Sequence, residues 1–185
     1  MALTATIFKA SLEIADIDRN YYASHQLTVA RHPSETDQRM MVRLLAFALH
    51  AGNDLAFTRG LCVDDEPELW QKNLSGEVAL WIDIGLPDER RIRKACQRAE
   101  NVILYLYGGR AAGLWWQRHA EALQRFANLR VFELSEEHTT ALADFVRRGM
   151  TLQCTIQDGQ AWLSDECHNL GITPLVRKPG RNTAR

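Results

Sequence analysis

Val78-Ala79-Leu80-Trp81-Ile82-Asp83-Ile84-Gly85 reads as the strongest strand of the chain, and it carries a carboxylate inside its apolar run. An acid between Ile82 and Ile84 costs free energy unless it finds a partner. The residues just upstream supply a candidate. Glu68 to Lys72 reads as a short strand, with Pro67 tolerated at its start, and Asn73-Leu74-Ser75-Gly76 as a turn. A two-residue hairpin turn centred on Ser75-Gly76 sets Leu74 across from Glu77. Carried along both strands, it sets Glu68 across from Asp83, with Cβ atoms roughly 4.5–5.5 Å apart.

Like charges facing each other destabilise a sheet, and a divalent cation relieves them. Oxygen ligands in this number suit Mg²⁺, with Mn²⁺ as substitute. A one-residue slip would put the two acids on opposite faces, so the pairing rests on the turn. The plainer alternative leaves Glu68 at an exposed hairpin end and Asp83 near a strand terminus, both solvated.

Directly after the strand, Pro87, Asp88 and Glu89 suit the first turn of a helix. Its buried stripe is Ile92, Ala95, Cys96 and Ala99, which leaves Arg90, Arg91, Lys94 and Arg98 on the other faces. That basic stripe is a candidate for phosphate contacts; pairing with Asp88, Glu89 and Glu100 is the alternative.

The remaining periodicities give the frame. Residues 4–14 alternate as a half-buried strand, and Tyr21 to Val29 reads as its hairpin partner. A helix opens at Ser34 with Asp37 three residues on, buries Met41, Leu44, Leu45, Ala48 and Leu49, and stops near Gly52. Leu55 to Val63 alternates as a strand. Val102 to Tyr107 is apolar enough for a strand covered on both sides. From Glu35 to Tyr107 the expected order is therefore α-β-β-β-α-β, preceded by a hairpin. Beyond Gly108-Gly109 come a helix, a strand at Leu129 to Leu134, a helix capped by Ser135, and a hairpin about Asp158-Gly159. The fold class is α/β with a mixed sheet, in one domain over 1–176. The tail over 177–185 has no periodicity and reads as disordered.

Bulk properties narrow the function. Lys plus Arg is 22 and Asp plus Glu 23, for a net charge of −1, which excludes a basic footprint over the whole surface but not a local basic groove. The four cysteines have neither CxxC spacing nor a finger-spaced histidine, so a structural zinc is not expected; Cys62 and Cys96 read as buried free thiols. The N-terminal residues show no signal-peptide pattern and no apolar run nears membrane-spanning length. A cytoplasmic, bacterial-type monomer with no membrane partner is expected.

Several long motifs resemble one family. Arg31-His32-Pro33-Ser34-Glu35-Thr36, Phe57-Thr58-Arg59-Gly60-Leu61-Cys62, Asp64-Asp65-Glu66-Pro67-Glu68 and Gly85-Leu86-Pro87-Asp88-Glu89-Arg90 are similar to the YaeQ family of bacterial proteins. Thr151 to Gly159 and Trp162-Leu163-Ser164-Asp165 extend the likeness over nearly the whole chain. The resemblance implies a variant of the PD-(D/E)XK nuclease-like fold, whose core has the element order read above, with β-hairpin additions at both ends. Pro67-Glu68 then stands at the "PD" dipeptide and Asp83-Ile84-Gly85 at (D/E)xK, with Gly85 in place of the lysine. The same resemblance implies Lys94 as a displaced lysine and Glu35 as a further acid. Two functions follow as expectations. One is a Mg²⁺-dependent nuclease using Glu68, Asp83, Glu35 and Lys94, with Arg90, Arg91 and Arg98 on nucleic acid. The other is a degenerate relative that binds nucleic acid or a protein without cutting.

Overall fold

The structure, a computed structural model, describes residues 5–58 and 65–180. The expectation of one domain over 1–176 meets a division into two compact units, each built from separate stretches of the chain. The first comprises Met1–Ala51 and Glu137–Pro174, the second Gly52–Glu136 and Leu175–Arg185.

In the first unit, β1 (Thr6–Asp16) and β2 (Tyr21–Arg31) form the expected hairpin, in register from Thr6↔Arg31 to Asp16↔Tyr21. The later hairpin, β8 (Gly149–Gln157) and β9 (Gln160–Ser164), does not stand apart as a separate addition. β8 runs parallel to β1 from Lys9↔Gly149 to Asp16↔Ile156. β10 (Asn169–Ile172) closes a five-stranded sheet in the order β10-β9-β8-β1-β2. Alternation decides its faces: Phe8, Ala10, Leu12, Ile14, Leu152, Cys154 and Ile156 are buried, and their neighbours along β1 and β8 point the other way. The helix α1 (Asp37–His50) buries every residue from Met40 to Ala48, more than the single stripe its pattern predicts. Its N-cap is Thr36, whose hydroxyl accepts the Arg39 N–H at 3.1 Å. The expected cap, Ser34, instead pairs with His32 Nδ1 at 2.6 Å.

The second unit is a six-stranded mixed sheet in the order β11-β7-β6-β5-β4-β3. Its strands are β3 (Leu55–Phe57), β4 (Leu69–Lys72), β5 (Val78–Ile84), β6 (Ala99–Leu106), β7 (Leu129–Glu133) and β11 (Leu175–Lys178). β5, β6 and β7 are parallel, as crossover helices between them require. Those helices are α2 (Glu89–Arg98) and α3 (Arg110–Leu123). Both pack into one core: Ile92 and Ala95 from α2 and Ala112, Trp115 and Leu123 from α3 meet Trp81, Val102, Leu104 and Val131 of the sheet. Chain order from α1 to β6 is the α-β-β-β-α-β read from sequence. The strand candidate from Leu55 ends at Phe57; its continuation through Cys62 and Val63 lies outside the described residues.

Two stretches differ from expectation. The helix after Ser135 lasts only from Glu136 to Leu142 (α4) before a 3-10 turn over Ala143–Phe145. The expected irregular tail over 177–185 is wrong for Arg177 and Lys178, which end β11: that strand pairs antiparallel with β7, and buried Lys178 donates from Nζ to Phe126 O and Leu129 O, both at 2.9 Å. Cys96 and Cys154 are free, and burial pushes their thiols up to about 11 and about 12 respectively. Cys62 lies outside the described residues.

Candidate functional site

The hairpin β4–β5 holds the two acids. Its loop has three residues rather than two, Leu74, Ser75 and Gly76, closed by Asn73 N–H to Glu77 O at 2.9 Å. Gly76 takes φ +86°, which a glycine accepts without penalty. Such a loop would shift the register by one residue. A bulge at Ala79 shifts it back: Lys72 pairs with Val78, but Gln71 pairs with Leu80, Trp70 with Trp81 and Leu69 with Ile82. The regular pairing ends there: the Glu68 N–H donates to Ile82 O at 3.0 Å, so Ile82 is met by both Leu69 and Glu68 and the register does not carry on to a Glu68–Asp83 pair. Both acids are 4% exposed.

Asp83 shares the sheet face of Trp81, two residues before it, and that is the face covered by α2. Its partner is on this helix. Arg91 Nε donates to Asp83 Oδ2 at 2.9 Å and Arg91 Nη2 to Oδ1 at 2.8 Å, a two-pronged pair. Trp81 Nε1–H adds a third donor to Oδ2 at 3.0 Å. Arg91 is aimed from both ends. At its backbone, Asp88, the N-cap of α2, accepts the Arg91 N–H at 2.7 Å; at its tip, Nη2 also donates to Glu66 O at 2.8 Å. The carboxylate that needed compensation has received a guanidinium.

Around this pair, Asp65, Asp88, Arg90, Arg91 and Lys94 line a cleft of about 470 Å³. Lys94 is ion-paired with Asp65. Arg98 sits exposed two turns along α2 from Arg91, on the same stripe as Lys94. Glu89 holds Arg93 at 3.0 Å and also pairs with Arg125. Glu35 belongs to the first unit, where it is buried and bound by Arg39 Nη1 at 3.0 Å and Arg43 Nη2 at 2.7 Å.

These contacts test the donor set for a Mg²⁺ ion. Asp83 offers both oxygens to Arg91, and Glu35 offers both to arginines. Among the described residues no group of three His, Cys, Asp or Glu side chains is arranged to hold a metal. With Arg91 seated on Asp83 the residues do not fit a resident ion.

The sequence pattern singles out Asp83 and Glu68, and it places Arg91 among phosphate contacts or partners of Asp88, Glu89 and Glu100 instead of on Asp83. Trp81 as an indole donor, Asp65 as the partner of Lys94 and Asp88 as the residue that aims Arg91 went unnoticed. One signal was available: Trp81 and Asp83 share strand parity, and position 91 falls three residues beyond the cap, beside buried Ile92.

Known proteins place the chain. The profile of the YaeQ protein family matches residues 1–174. The YaeQ proteins of Escherichia coli (strain K12) and Shigella flexneri are each 54% identical over 172 residues, covering 93% of this chain and 95% of theirs. The crystal structure of YaeQ protein from Xanthomonas axonopodis pv. citri matches with TM-score 0.92 at 51% identity, covering 95% of this chain and 99% of that one. That of YaeQ protein from Pseudomonas syringae matches with TM-score 0.91 at 33% identity, covering 96% and 98%. Among the described residues no helix is long and apolar enough to cross a membrane. Sequence motifs, family profile and solved structures agree over nearly the full length, and the chain belongs to the YaeQ protein family.

Proposed function

We propose that the protein is a degenerate relative of the PD-(D/E)XK nucleases that binds nucleic acid through its phosphates, as a cytoplasmic monomer, without cutting it. The observation that carries this reading is the Arg91 fork on Asp83 beside the cleft of Arg90, Arg91 and Lys94. A guanidinium stands where a nuclease would use a metal ion. It keeps a positive charge at the site, yet it cannot activate water as a metal does. Gly85 at the lysine position supports the same reading, since it supplies no cation there. Arg98, one turn beyond Lys94 on the same stripe of α2, extends the cationic track, and the balanced charge elsewhere confines binding to it.

A second reading, a Mg²⁺-dependent nuclease at Glu68 and Asp83, is favoured by the burial of these two acids at the adjoining ends of β4 and β5. It requires Arg91 to leave Asp83 when substrate arrives. One experiment separates the two. Labelled single- and double-stranded DNA and RNA are titrated with the protein by fluorescence anisotropy at several salt concentrations. The same substrates are then incubated with Mg²⁺ or Mn²⁺, beside an Asp83→Ala control. Binding whose log Kd changes with log salt at a slope of roughly 2, reduced by about 0.7–0.9 in Arg98→Ala, supports the phosphate track. Cleavage that Asp83→Ala abolishes would decide for the nuclease. Absence of salt-dependent binding to any of the four substrates sinks both.

A further inference from the structure

In the five-stranded sheet of the first unit, β8 is paired unequally on its two sides. β1 accompanies it from Lys9↔Gly149 to Asp16↔Ile156, but β9 only from Gln153↔Ser164 to Gln157↔Gln160. Toward β9, the stretch from Gly149 to Leu152 has no neighbouring strand among the described residues. The ladder shows which groups this leaves open. Arg148 O accepts the Lys9 N–H at 2.9 Å and Ile156 O the Ile17 N–H at 2.8 Å, so the even-numbered residues of β8 turn their main-chain groups to β1. Gly149 and Thr151 turn an N–H and a C=O each the other way, without a partner among the described residues.

The vacancy has a local cause. Asp165 Oδ1 accepts the N–H groups of Cys167 and His168 at 2.8 and 2.6 Å, and the Asp165 N–H donates to His168 O at 3.0 Å. This tight turn carries the chain from β9 into β10 before it comes level with Thr151. What is left beside β8 is a cavity of about 210 Å³. Buried Phe145, Met150 and Leu152 line it, with Arg147 at the Gly149 end and Glu166 at the end where β9 stops. Arg147 Nη1 donates to Asp144 O and Val146 O at 3.0 and 2.8 Å. Among the described residues neither Arg147 nor Glu166 has an ion-pair partner.

These observations define an occupant. An N–H and a C=O on one residue, repeated about 7 Å further along the strand, are the template that an extended peptide completes. Charge sets its direction. A peptide antiparallel to β8 starts at Glu166 and ends at Arg147, so a lysine near its start and the carboxylate at its end each meet the opposite sign. The parallel direction would set like charges together at both ends. Peptide residues facing Leu152 and Met150 turn their side chains to the buried face beside Phe145, and those facing Thr151 and Gly149 turn outward.

We propose that this vacancy binds the free C-terminus of a partner protein as a strand antiparallel to β8. Its last four residues alternate apolar and polar, its main chain bonds Thr151 and Gly149, and its terminal carboxylate rests on Arg147. The site lies wholly in the first unit and does not depend on the nucleic-acid reading.

The test titrates fluorescein-labelled hexapeptides Ser-Lys-Val-Thr-Val-Ser, with Val, Leu, Ile or Phe at both apolar positions, into the full-length protein. Saturable binding of at least one is expected. Its C-terminal amide should bind about tenfold more weakly, through loss of one charged hydrogen bond. Arg147→Ala should weaken the acid equally and leave the amide unchanged, with thermal unfolding at the parent temperature. N-methylating the peptide threonine, which removes the N–H opposite Thr151 O, should also cost about tenfold. Hydrogen exchange at the Thr151 N–H should slow in the complex. The proposal is overturned if none of the four peptides binds, if the amide binds the parent as well as the acid, or if exchange at Thr151 is unchanged in the complex. Slowing of that exchange with protein concentration alone also overturns it, by giving the vacancy to a second copy.

Discussion

At Gly85 the chain leaves β5 with φ +94°, and its N–H donates to Tyr105 O at 2.9 Å. An added Cβ would meet nothing closer than Tyr107 Cε1 at 3.9 Å. The obstacle to a side chain is therefore backbone conformation rather than crowding. Gly85→Lys, which would restore the motif on paper, is expected to lower unfolding free energy by about 1–2 kcal/mol, measured by urea denaturation, and to confer no metal-dependent cleavage. An unchanged urea midpoint would mean that the turn rearranges around the new residue. At this scale the sequence exposed the acids because each stands against its surroundings: Asp83 within an apolar strand and Glu68 across a turn. Arg91 was hidden because one cation among several on a short helix carries no local mark. Only the packed geometry of α2 over Trp81 shows which of them turns inward.

Elements were legible where a period repeats and less so at their ends. Ser34-Glu35-Thr36 offers two competent caps for α1, and the spacing of Ser34 to Asp37 favours the wrong one. Glu35 decides the matter. It is buried between Arg39 and Arg43, one and two turns along the helix, so the chain enters α1 just after it and Thr36 takes the cap. Thr36→Ala should therefore cost about 1 kcal/mol, while Ser34→Ala should stay within about 0.5 kcal/mol; paired thermal melts compare them directly. The reverse order would return the cap to Ser34. The β4–β5 hairpin teaches a related lesson. From Leu69 to Gln71 its register matches the expected one through two departures that cancel, a loop one residue longer and a bulge at Ala79, and at Glu68 the register is lost again. Bulges leave almost no trace in sequence, because the extra residue is an ordinary one; Ala79 has nothing to distinguish it from its neighbours.

At the scale of the whole molecule, pairings between distant stretches of chain escape local reading altogether. Nothing in residues 6–16 announces a parallel partner at 149–157, yet β1 and β8 share eight paired positions from Lys9↔Gly149 to Asp16↔Ile156. The same blindness made Arg177 and Lys178 look like tail: the four residues Leu175–Lys178 have no periodicity and become a strand only because β7 offers an edge. That strand returns the chain to the second unit and caps an otherwise open sheet. Its grip is polar as well as ladder-like. Lys178 Nζ satisfies the carbonyls of Phe126 and Leu129 from a buried position, and Arg177 Nε holds Glu133 at 2.6 Å. Burial lowers the Lys178 pKa, a cost of desolvation that the two carbonyl acceptors offset. Ending the chain after Pro174 removes both cations and the β7 pairing, and leaves a buried and a half-buried carbonyl without their donor. A loss of about 3 kcal/mol is expected, since hydrogen bonds from a charged group are each worth about 1.5–3 kcal/mol. Ending it after Gly180 keeps every one of these contacts and should leave stability at the parent value. Urea unfolding of the two truncations beside the full chain makes the comparison, with Lys178→Met as a single-residue control that keeps the strand but not the donor. If the shorter truncation unfolded at the same midpoint as the longer one, β11 would be an ornament on the sheet rather than part of its fold.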